Sequence, residues 1–319
     1  MASDEYTSSG DLNQGWTYRD WVQRQADGQR VLDFYAQNYP HSTQEVWQQR
    51  IEAGLIRLDH KEAQPDTLLR VGQQLSYHRP PWREPEAPRN LEILHEDAEI
   101  IAVAKPSGLP VLPGGDFLDH TLLAMVRRLY MDEPAPIHRL GRGTSGIVIF
   151  ARSPAARQQL SADLREGRVR KLYRALACGT SMPDEFAIEQ PIGRVSYPPL
   201  RYVYAAVSEG KYARTECRVL QRDQEHARAL LEVDIPTGRP HQIRIHLAAA
   251  GYPLVGEPLY CKGGKPVLPE GSGRAVLPGD GGYHLHAWKI CFTHPGTRMA
   301  MTITCTPPEI LRPGQSRQT

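Results

Sequence analysis

Four segments of the chain concentrate the glycine, hydroxyl, histidine and basic residues that could do chemistry. They are AKPSGLPVLPGG (104–115), HRLGRGTSG (138–146), RKLYRALACG (170–179) and TGRPHQIRIHLAAAGYPLVGEPLY (237–260). The second segment holds three glycines, two arginines and two hydroxyl residues, so its backbone could form an anion-binding nest. It lacks the lysine of a P-loop and leads into a strand rather than a helix, which argues against nucleotide binding by that route.

Two other kinds of site are compatible with these residue types: a serine hydrolase site and a histidine-ligated metal site. Ser145 and His138 could form a nucleophile and its base, but the G-x-S-x-G elbow is missing, and a serine in a turn beside a strand is usually structural. Four histidines could also ligate a metal: His241, His246, His284 and His286. The first two are five residues apart and therefore off one helical face, and structural histidines are commoner than ligands. We expect neither a hydrolase built on Ser145 nor a metal site.

Taken in order, the four segments resemble the motifs of the RluA-type pseudouridine synthases. The matches are KPSG (105–108), HRLDxxTSG (138–146), K-x-Y-x-A-L (171–176), TGRTHQIRxH (237–246, with Pro240 in place of the second threonine), LHAW (285–288) and FTHP (292–295). Residues 16–78 also look like the S-four-type RNA-binding domain that often precedes such enzymes. The resemblance covers roughly residues 17–308.

The resemblance implies an enzyme that isomerises uridine to pseudouridine in RNA and needs no cofactor. The reaction breaks a carbon–nitrogen glycosidic bond, turns the base and rejoins it through carbon. It requires a carboxylate at the sugar–base junction, acting as nucleophile or base. In the family this is the Asp of HRLD, and the matching residue here is Gly141, which has no side-chain oxygen. The family tyrosine that lies against the uracil is matched by Tyr173, and the arginine that pairs with the Asp by Arg244.

The glycine at position 141 leaves Arg244 facing an empty site in this comparison. A buried arginine without a partner costs several kcal/mol, so we expect a relocated carboxylate, a bound phosphate or water beside it. Asp116 and Asp119 are candidate stand-in acids; Asp234 is a weaker one, because its alternation in a strand indicates the solvent face.

Two functions follow, and the sequence leaves both open. One is a synthase whose acid is relocated or absent; the other is a catalytically inactive RNA-binding protein of the same fold. A carboxylate within about 3–4 Å of the Arg244 guanidinium, the distance of an ion pair, favours the synthase.

RNA is the expected partner, either rRNA or tRNA. Arg139 and Arg142 flank position 141, and the resemblance implies that the arginine of HRL enters the RNA helix as the target base leaves it. Other basic residues suited to phosphate contacts are Arg168, Arg170, Lys171, Arg239 and, in the N-terminal part, Arg50, Arg57 and Arg70. The alternative for any one of them is a solvated surface charge.

Hydrophobic periodicity predicts the elements that must position these residues. Residues 147–152 form a buried strand, Ser153-Pro154 begins a helix that ends before Gly167, and 231–235 alternate as a half-buried strand. Strands that mostly follow strands predict an α+β fold with a mixed or antiparallel sheet rather than a doubly wound one. In the N-terminal part, Ser42-x-x-Glu45 predicts a helix capping box.

The domain organisation follows from changes in composition. We expect a tail at 1–15, a small α/β RNA-binding domain at 16–78, a proline-rich linker at 79–90, a catalytic-type domain at 91–309 and a tail at 310–319. Two stretches, 193–213 and 261–282, are long and open in composition, which predicts an RNA-touching loop and a mobile cover.

Composition narrows the class of protein. The 319 residues carry a net charge of +2, so any nucleic-acid surface must be local. No apolar run reaches the roughly 18 residues of a membrane span, and the N-terminus lacks the pattern of a signal peptide. Five cysteines without a CxxC pair indicate reduced thiols, and we expect a cytoplasmic protein without a membrane or metal partner.

Overall fold

The computed structural model describes residues 12–131, 133–198, 200–269 and 275–314. Residues 1–11 and 315–319 of the predicted tails lie outside the described residues, whereas 12–15 and 310–314 are described. The chain divides into two compact units: the first ends at Glu84 and includes Ser196–Tyr202, and the second comprises Pro85–Val195 and the chain from Val203 onward.

The first unit combines two helices with a small sheet in the described residues. Its elements are β1 (Trp16–Trp21), a 3-10 turn (Arg24–Ala26), α1 (Val31–Asn38), α2 (Gln44–Glu52), β2 (Ile56–Leu58), β3 (Lys61–Glu62) and β4 (Gln74–Arg79). The strands pair antiparallel in the order β1-β4-β2-β3. Trp47 and Ile51 of α2 are buried with Tyr35 of α1 and Tyr77 of β4, so the apolar stripes of both helices cover the sheet.

The cap of α2 differs from the predicted capping box by one residue. Thr43 is the N-cap, and its Oγ1 accepts a hydrogen bond from the Val46 backbone N–H at 3.4 Å. Ser42 instead accepts from the Arg50 guanidinium at 3.0 Å. Both residues are good N-caps, and the side-chain contact made by Ser42 is one that local spacing does not reveal.

The second unit is built on a large sheet. From Glu92 onward the strands are β5 (Glu92–Glu96), β6 (Ile100–Lys105), β7 (Ala135–Pro136), β8 (Ser145–Ala151), β9 (Arg170–Cys178), β10 (Glu185–Ile188), β11 (Ile192–Tyr197), β12 (Leu200–Ala206), β13 (Thr215–Asp223), β14 (Arg228–Asp234), β15 (Tyr260–Cys261), β16 (Lys265–Pro266), β17 (Leu285–Thr293) and β18 (Ala300–Thr304). The helices are α3 (Leu122–Leu129), α4 (Pro154–Arg165), α5 (Gln242–Ala249) and a final 3-10 turn (Glu309–Leu311).

The main sheet has the order β10-β13-β14-β9-β17-β8-β6-β5, with β18 added to β17 and β7 to β8. Its described pairings are antiparallel except β17 with β8, which is parallel. This confirms the predicted α+β class with a mixed sheet.

Strand β8 is buried on both faces, as its unbroken apolar run predicts. Val148 and Phe150 point into one core cluster, while Ile147 and Ile149 point into the cluster on the other face, where α4 packs through Leu160. Alternation along a single strand therefore connects the two cores.

The stretch 193–213 was wrongly predicted to be a long loop. Most of it is the hairpin β11–β12, whose strands contain the β-branched and aromatic residues typical of strands. The prolines at 198 and 199 in the sequence, with the glycines near both ends of the stretch, dominated the composition and concealed this pattern. In the described ranges, no helix is long and apolar enough to cross a membrane.

Helix α4 begins as the sequence predicts. The Ser153 Oγ accepts from the Ala156 N–H at 3.1 Å and donates to the Glu99 carboxylate at 2.9 Å. Pro154 occupies the first turn, and Gly167 follows the helix with a φ of +74°. The cap therefore fixes both the start of the helix and its link to the turn before β6.

Replacing this cap should lower stability measurably. We expect Ser153→Ala to reduce the free energy of unfolding by about 1–2 kcal/mol, since an N-cap bond and a bond to Glu99 are lost. Urea unfolding of the full chain measures this. Ser161→Ala, inside the same helix, is the matched control and should be neutral or stabilising; equal losses in the two variants would contradict the capping role.

Candidate functional site

A pocket in the second unit gathers half of the predicted site residues. Its cavity volume is about 100 Å³. It is lined by Arg139, Leu140, Gly141, Thr144, Tyr173, Ile235, Arg239, His241, Gln242, Ile243, Arg244, Tyr283 and Leu285. Five predicted positions thus meet here: Arg139, Gly141, Tyr173, Arg239 and Arg244.

The loop before β8 is held in place by hydrogen bonds from the KPSG segment (105–108). Lys105, 1% exposed, donates from Nζ to the Arg142 carbonyl at 3.1 Å and to two carbonyls of its own loop at 2.7 and 2.8 Å. Ser107 donates to the Gly143 carbonyl at 2.8 Å. Burial lowers the pKa of Lys105 to about 7. The first motif therefore positions the second rather than lining the pocket.

Arg244 does not face an empty site, which corrects the expectation from the sequence. Its Nε and Nη2 donate to the two carboxylate oxygens of Glu257 at 2.7 and 2.6 Å, and its Nη1 donates to the Pro278 carbonyl at 2.9 Å. The two side chains are 2% and 1% exposed. Burial lowers the pKa of Arg244, but its bonds to Glu257 raise it overall, so the guanidinium is charged.

Glu257 is a carboxylate that the sequence analysis missed, although it lies within the fourth segment. Besides Arg244, its Oε1 accepts from the backbone N–H groups of Leu259 and Tyr260 at 2.9 and 3.3 Å. Glu257 is not among the residues that line the pocket. Its oxygens are therefore committed to a structural ion pair, a geometry in which a carboxylate is held away from substrate.

The predicted stand-in acids do not line the pocket. Neither Asp116 nor Asp119 belongs to its wall, and Asp234 accepts from Arg170 at 2.7 Å. In the part of the chain that the structure describes, the lining of this pocket contains no aspartate or glutamate.

Tyr283 occupies the space beside Gly141. A Cβ added at Gly141 would lie 3.2 Å from the Tyr283 hydroxyl and 3.6 Å from the Thr144 hydroxyl. These two hydroxyls lie 3.2 Å apart, and the guanidinium carbon of Arg244 lies 4.2 Å from the Tyr283 ring centroid. Tyr283 was not among the site residues predicted from the sequence. Its position directly before the HLHAW segment (284–288) was the signal that could have identified it.

His241 enters the pocket as a neutral ring. Tyr260 donates its hydroxyl to the Tyr204 carbonyl at 2.9 Å, so His241 must donate from Nδ1 to the Tyr260 oxygen at 2.7 Å. Burial, with the nearby charges of Arg244 and Arg139, lowers the pKa of His241 to about 3. Its Nε2 is consequently an acceptor near neutral pH.

Tyr173 of β9 is 8% exposed, and burial raises its pKa well above the usual value. Its hydroxyl is therefore protonated at neutral pH and can donate a hydrogen bond. Arg139 is exposed at the pocket, and Arg239 is partly exposed there with its Nε donating to the Tyr212 carbonyl at 3.0 Å. The wall thus combines a neutral interior with two arginines.

Several predicted basic residues lie outside the pocket lining, among them Arg142, Arg170 and Lys171 of the second unit. Arg142 donates to the Gly279 carbonyl at 2.7 Å and to Asp280 at 3.3 Å, so it holds the segment before Tyr283. Arg170 pairs with Asp234 at the surface, and burial lowers the pKa of Lys171 against a partial rise from Asp234. Arg50 and Arg57 belong to the first unit.

The other site types weighed from the sequence are not assembled. Ser145 contacts Nδ1 of His286 at 2.8 Å rather than His138, whose Nε2 accepts from the Ile149 N–H at 3.3 Å. His246 is held by the Thr215 hydroxyl and the Gln190 carbonyl, both at 2.8 Å. In the described ranges, no group of three or more His, Cys, Asp or Glu could hold a metal. All five cysteines are unpaired.

Comparison with known proteins gives a consistent result. A family model described as RNA pseudouridylate synthase matches residues 99–249. The chain is 48% identical over 285 residues to an uncharacterized RNA pseudouridine synthase of Synechocystis sp., covering 89% of this chain and 96% of the relative. It is 33% identical over 277 residues to ribosomal large subunit pseudouridine synthase D of Neisseria meningitidis serogroup A, covering 83% and 71%. The solved structure of human RNA pseudouridylate synthase domain containing 1 matches with a TM-score of 0.54 at 26% identity, over 70% of this chain and 86% of that one.

The buried ion pair should be necessary for a stable pocket wall. We expect Glu257→Gln to lower the free energy of unfolding by about 3–5 kcal/mol, because the Arg244 charge stays buried without a counter-charge. Urea unfolding measures the loss. Glu216→Gln removes the carboxylate from an exposed pair with Arg214 and should change stability by less than about 1 kcal/mol. Similar values for the two variants would show that the Arg244 pair is not a buried structural interaction.

Proposed function

This chain belongs to the RNA pseudouridylate synthase family, in its RluA-type branch, and we propose that it isomerises uridine to pseudouridine in structured RNA at the pocket around Tyr173 and Arg244. The observation that carries the proposal is the meeting of motif residues from three of the four segments at this one pocket. RNA is the substrate that family membership implies.

The pocket suits a nucleotide that has been turned out of the RNA helix. An enzyme that reacts at the sugar–base bond must take its target out of the stack. Arg139 and Arg239 would contact phosphate at the rim, where positive charge favours the backbone. Tyr173 would lie against the uracil and donate a hydrogen bond to it, and His241 would offer Nε2 as an acceptor for a uracil N–H.

Arg244 would act as a positioning residue rather than as a group that moves protons. Its charge is neutralised by Glu257 and its guanidinium is fixed by the Pro278 carbonyl. The Arg244 and Glu257 pair would thus hold the segment before β17 against α5, and with it the wall of the pocket.

Gly141 stands where the family has its aspartate, and no carboxylate lines the pocket among the described residues. These two observations favour a second candidate function. The alternative is an RNA-binding protein of the same fold without catalysis. The carboxylate beside Arg244 meets the distance criterion for catalysis, but its buried, saturated geometry does not support Glu257 as the reacting group.

We further propose that the first unit is an S-four-type RNA-binding domain covering about residues 16–78, followed by the 79–90 linker. Arg57 and Arg70 are exposed and suited to phosphate contacts. Arg50 stacks on the Trp47 ring at 4.5 Å, which supports a share in packing besides any RNA contact. A relative named for the ribosomal large subunit supports rRNA as the substrate, and reduced cysteines support the cytoplasm.

The proposed activity can be tested without knowing the target. Total RNA from cells that lack the gene, incubated with the purified full-length protein, should gain pseudouridine at one or a few positions in a mass-spectrometric map. The same positions should carry pseudouridine in cells that have the gene. A map that is unchanged by the protein and by loss of the gene would favour the inactive RNA-binding alternative.

Tyr173 should matter for turnover rather than for affinity. We expect Tyr173→Phe to slow pseudouridine formation by about 10²-fold or more, because a positioned proton donor is lost. The dissociation constant for the RNA should stay within about threefold, since phosphate contacts dominate affinity. Tyr212→Phe, at a residue 55% exposed, is the control. Equal rates for wild type and Tyr173→Phe would remove Tyr173 from the mechanism.

A further inference from the structure

We infer that Tyr283 is a catalytic residue whose phenol oxygen takes the part of the carboxylate that position 141 lacks. The inference rests on the proposed function, because it concerns the same pocket and the same reaction. It names a residue that lies 142 positions along the chain from Gly141 and that belongs to none of the four motifs.

The first argument is position. Tyr283 lines the pocket, and its hydroxyl lies 3.2 Å from the point where a Cβ at Gly141 would be. The carboxylate of an aspartate at residue 141 would extend from this Cβ position. The phenol oxygen therefore reaches the region of the pocket that an acid at position 141 would reach.

The second argument is that the HRLGRGTSG loop is shaped to admit the ring. A Cβ at Gly143 would lie 3.0 Å from two ring carbons of Tyr283 and 3.1 Å from the Cα of Gly281. Contacts this close are tighter than side chains ordinarily make, so a larger residue at 143 would require the ring or the Gly281 backbone to shift by a few tenths of an ångström. The absence of side chains at 141 and 143 thus leaves the space that the ring and hydroxyl of Tyr283 occupy.

The third argument is that the ring is held firmly. Two motif arginines bind the preceding segment: Arg244 donates to the Pro278 carbonyl at 2.9 Å, and Arg142 donates to the Gly279 carbonyl at 2.7 Å. The Arg244 guanidinium carbon also lies 4.2 Å from the ring centroid, a cation–π contact that helps to fix the ring in place. Such preorganisation is what a reacting group requires.

The fourth argument concerns the competing oxygens. Glu257 is 1% exposed and saturated by Arg244 and two backbone N–H groups. Thr144 is 5% exposed, and its hydroxyl lies 3.2 Å from the Tyr283 hydroxyl, where it can donate to a phenolate. Tyr283 is itself 4% exposed and lines the pocket together with Thr144. Its oxygen has the Thr144 hydroxyl within 3.2 Å, and its ring packs against the Arg244 guanidinium, whose charge Glu257 balances.

The step with Tyr283 as nucleophile balances in protons and electrons. The phenol gives its proton to water, and its oxygen bonds to C1′ of the ribose as the C1′–N1 bond breaks; that electron pair leaves with uracil as the N1 anion. After the base turns, C5 bonds to C1′ while the C1′–oxygen bond breaks and its pair returns to the phenolate. The phenolate takes the C5 proton, and N1 takes a proton from water. Tyrosine is a known nucleophile at sugar carbons.

The test compares Tyr283→Phe with wild type, using the full-length protein and total RNA from cells that lack the gene. Phenylalanine keeps the ring and its contact with Arg244 and removes the oxygen alone. We expect pseudouridine formation to fall by about 10³-fold or more, as for loss of a nucleophile, with RNA affinity within about threefold of wild type. Tyr252→Phe, at a tyrosine outside the pocket lining, should match wild type in both readouts.

A second comparison asks whether a carboxylate can replace the phenol. Gly141→Asp alone places its Cβ within 3.2 Å of the Tyr283 oxygen, whereas Gly141→Asp with Tyr283→Phe removes that oxygen. We expect the double variant to form pseudouridine at least about tenfold faster than Tyr283→Phe alone, since the missing oxygen is supplied from position 141. Thermal unfolding of each variant identifies any that is misfolded.

The outcomes separate the two proposals. An inactive wild-type protein would overturn the proposed function and the role of Tyr283 with it. An active wild type with Tyr283→Phe at a tenth of its rate or more would overturn the role of Tyr283 alone. A large loss of rate with unchanged RNA affinity and unchanged unfolding temperature supports Tyr283 as the catalytic oxygen.

Discussion

The ion pair between Arg244 and Glu257 is the interaction on which the pocket depends. Charges buried at this depth are tolerated only when each hydrogen-bonding group has a partner, and both side chains meet that condition through backbone atoms on either side of them. Because those backbone atoms belong to the chain at the start of β15 and to the segment before β17, the pair fixes three pieces of chain at once. It does so together with apolar packing, because Leu140, Ile243 and Leu285 of the pocket wall also belong to the main hydrophobic core.

Local patterns predicted the frame of the molecule well. The apolar run of β8, the Ser153 cap of α4 and the alternation of β14 each depend on neighbours in sequence, so the sequence contains the information. The residues that shape the site, in contrast, do not depend on their immediate neighbours in sequence. Glu257 owes its role to Arg244, 13 residues earlier, and Tyr283 owes its role to Gly141, much earlier in the chain; glutamate or tyrosine outside a helix or strand carries no periodic signal. The hairpin β11–β12 was missed for a different reason, since the prolines and glycines of the stretch 193–213 dominated its composition.

The pocket separates the two tasks of an RNA-modifying protein. Arg139 and Arg239 provide positive charge toward the open side, where RNA phosphates would lie. Inside, His241 is neutral, Tyr173 is protonated and Arg244 is neutralised by its partner. A near-neutral chain can therefore bind RNA through a few well-placed cations while it keeps an uncharged interior for the base.

The tight fit between Gly143 and the Tyr283 ring couples two residues that lie far apart in the chain. A side chain at position 143 would place its Cβ 3.0 Å from two ring carbons and 3.1 Å from the Cα of Gly281, so the ring or the loop would have to move by a few tenths of an ångström. A smaller residue at 283 would remove this restriction. The tolerance of position 143 to substitution therefore depends on which residue occupies position 283.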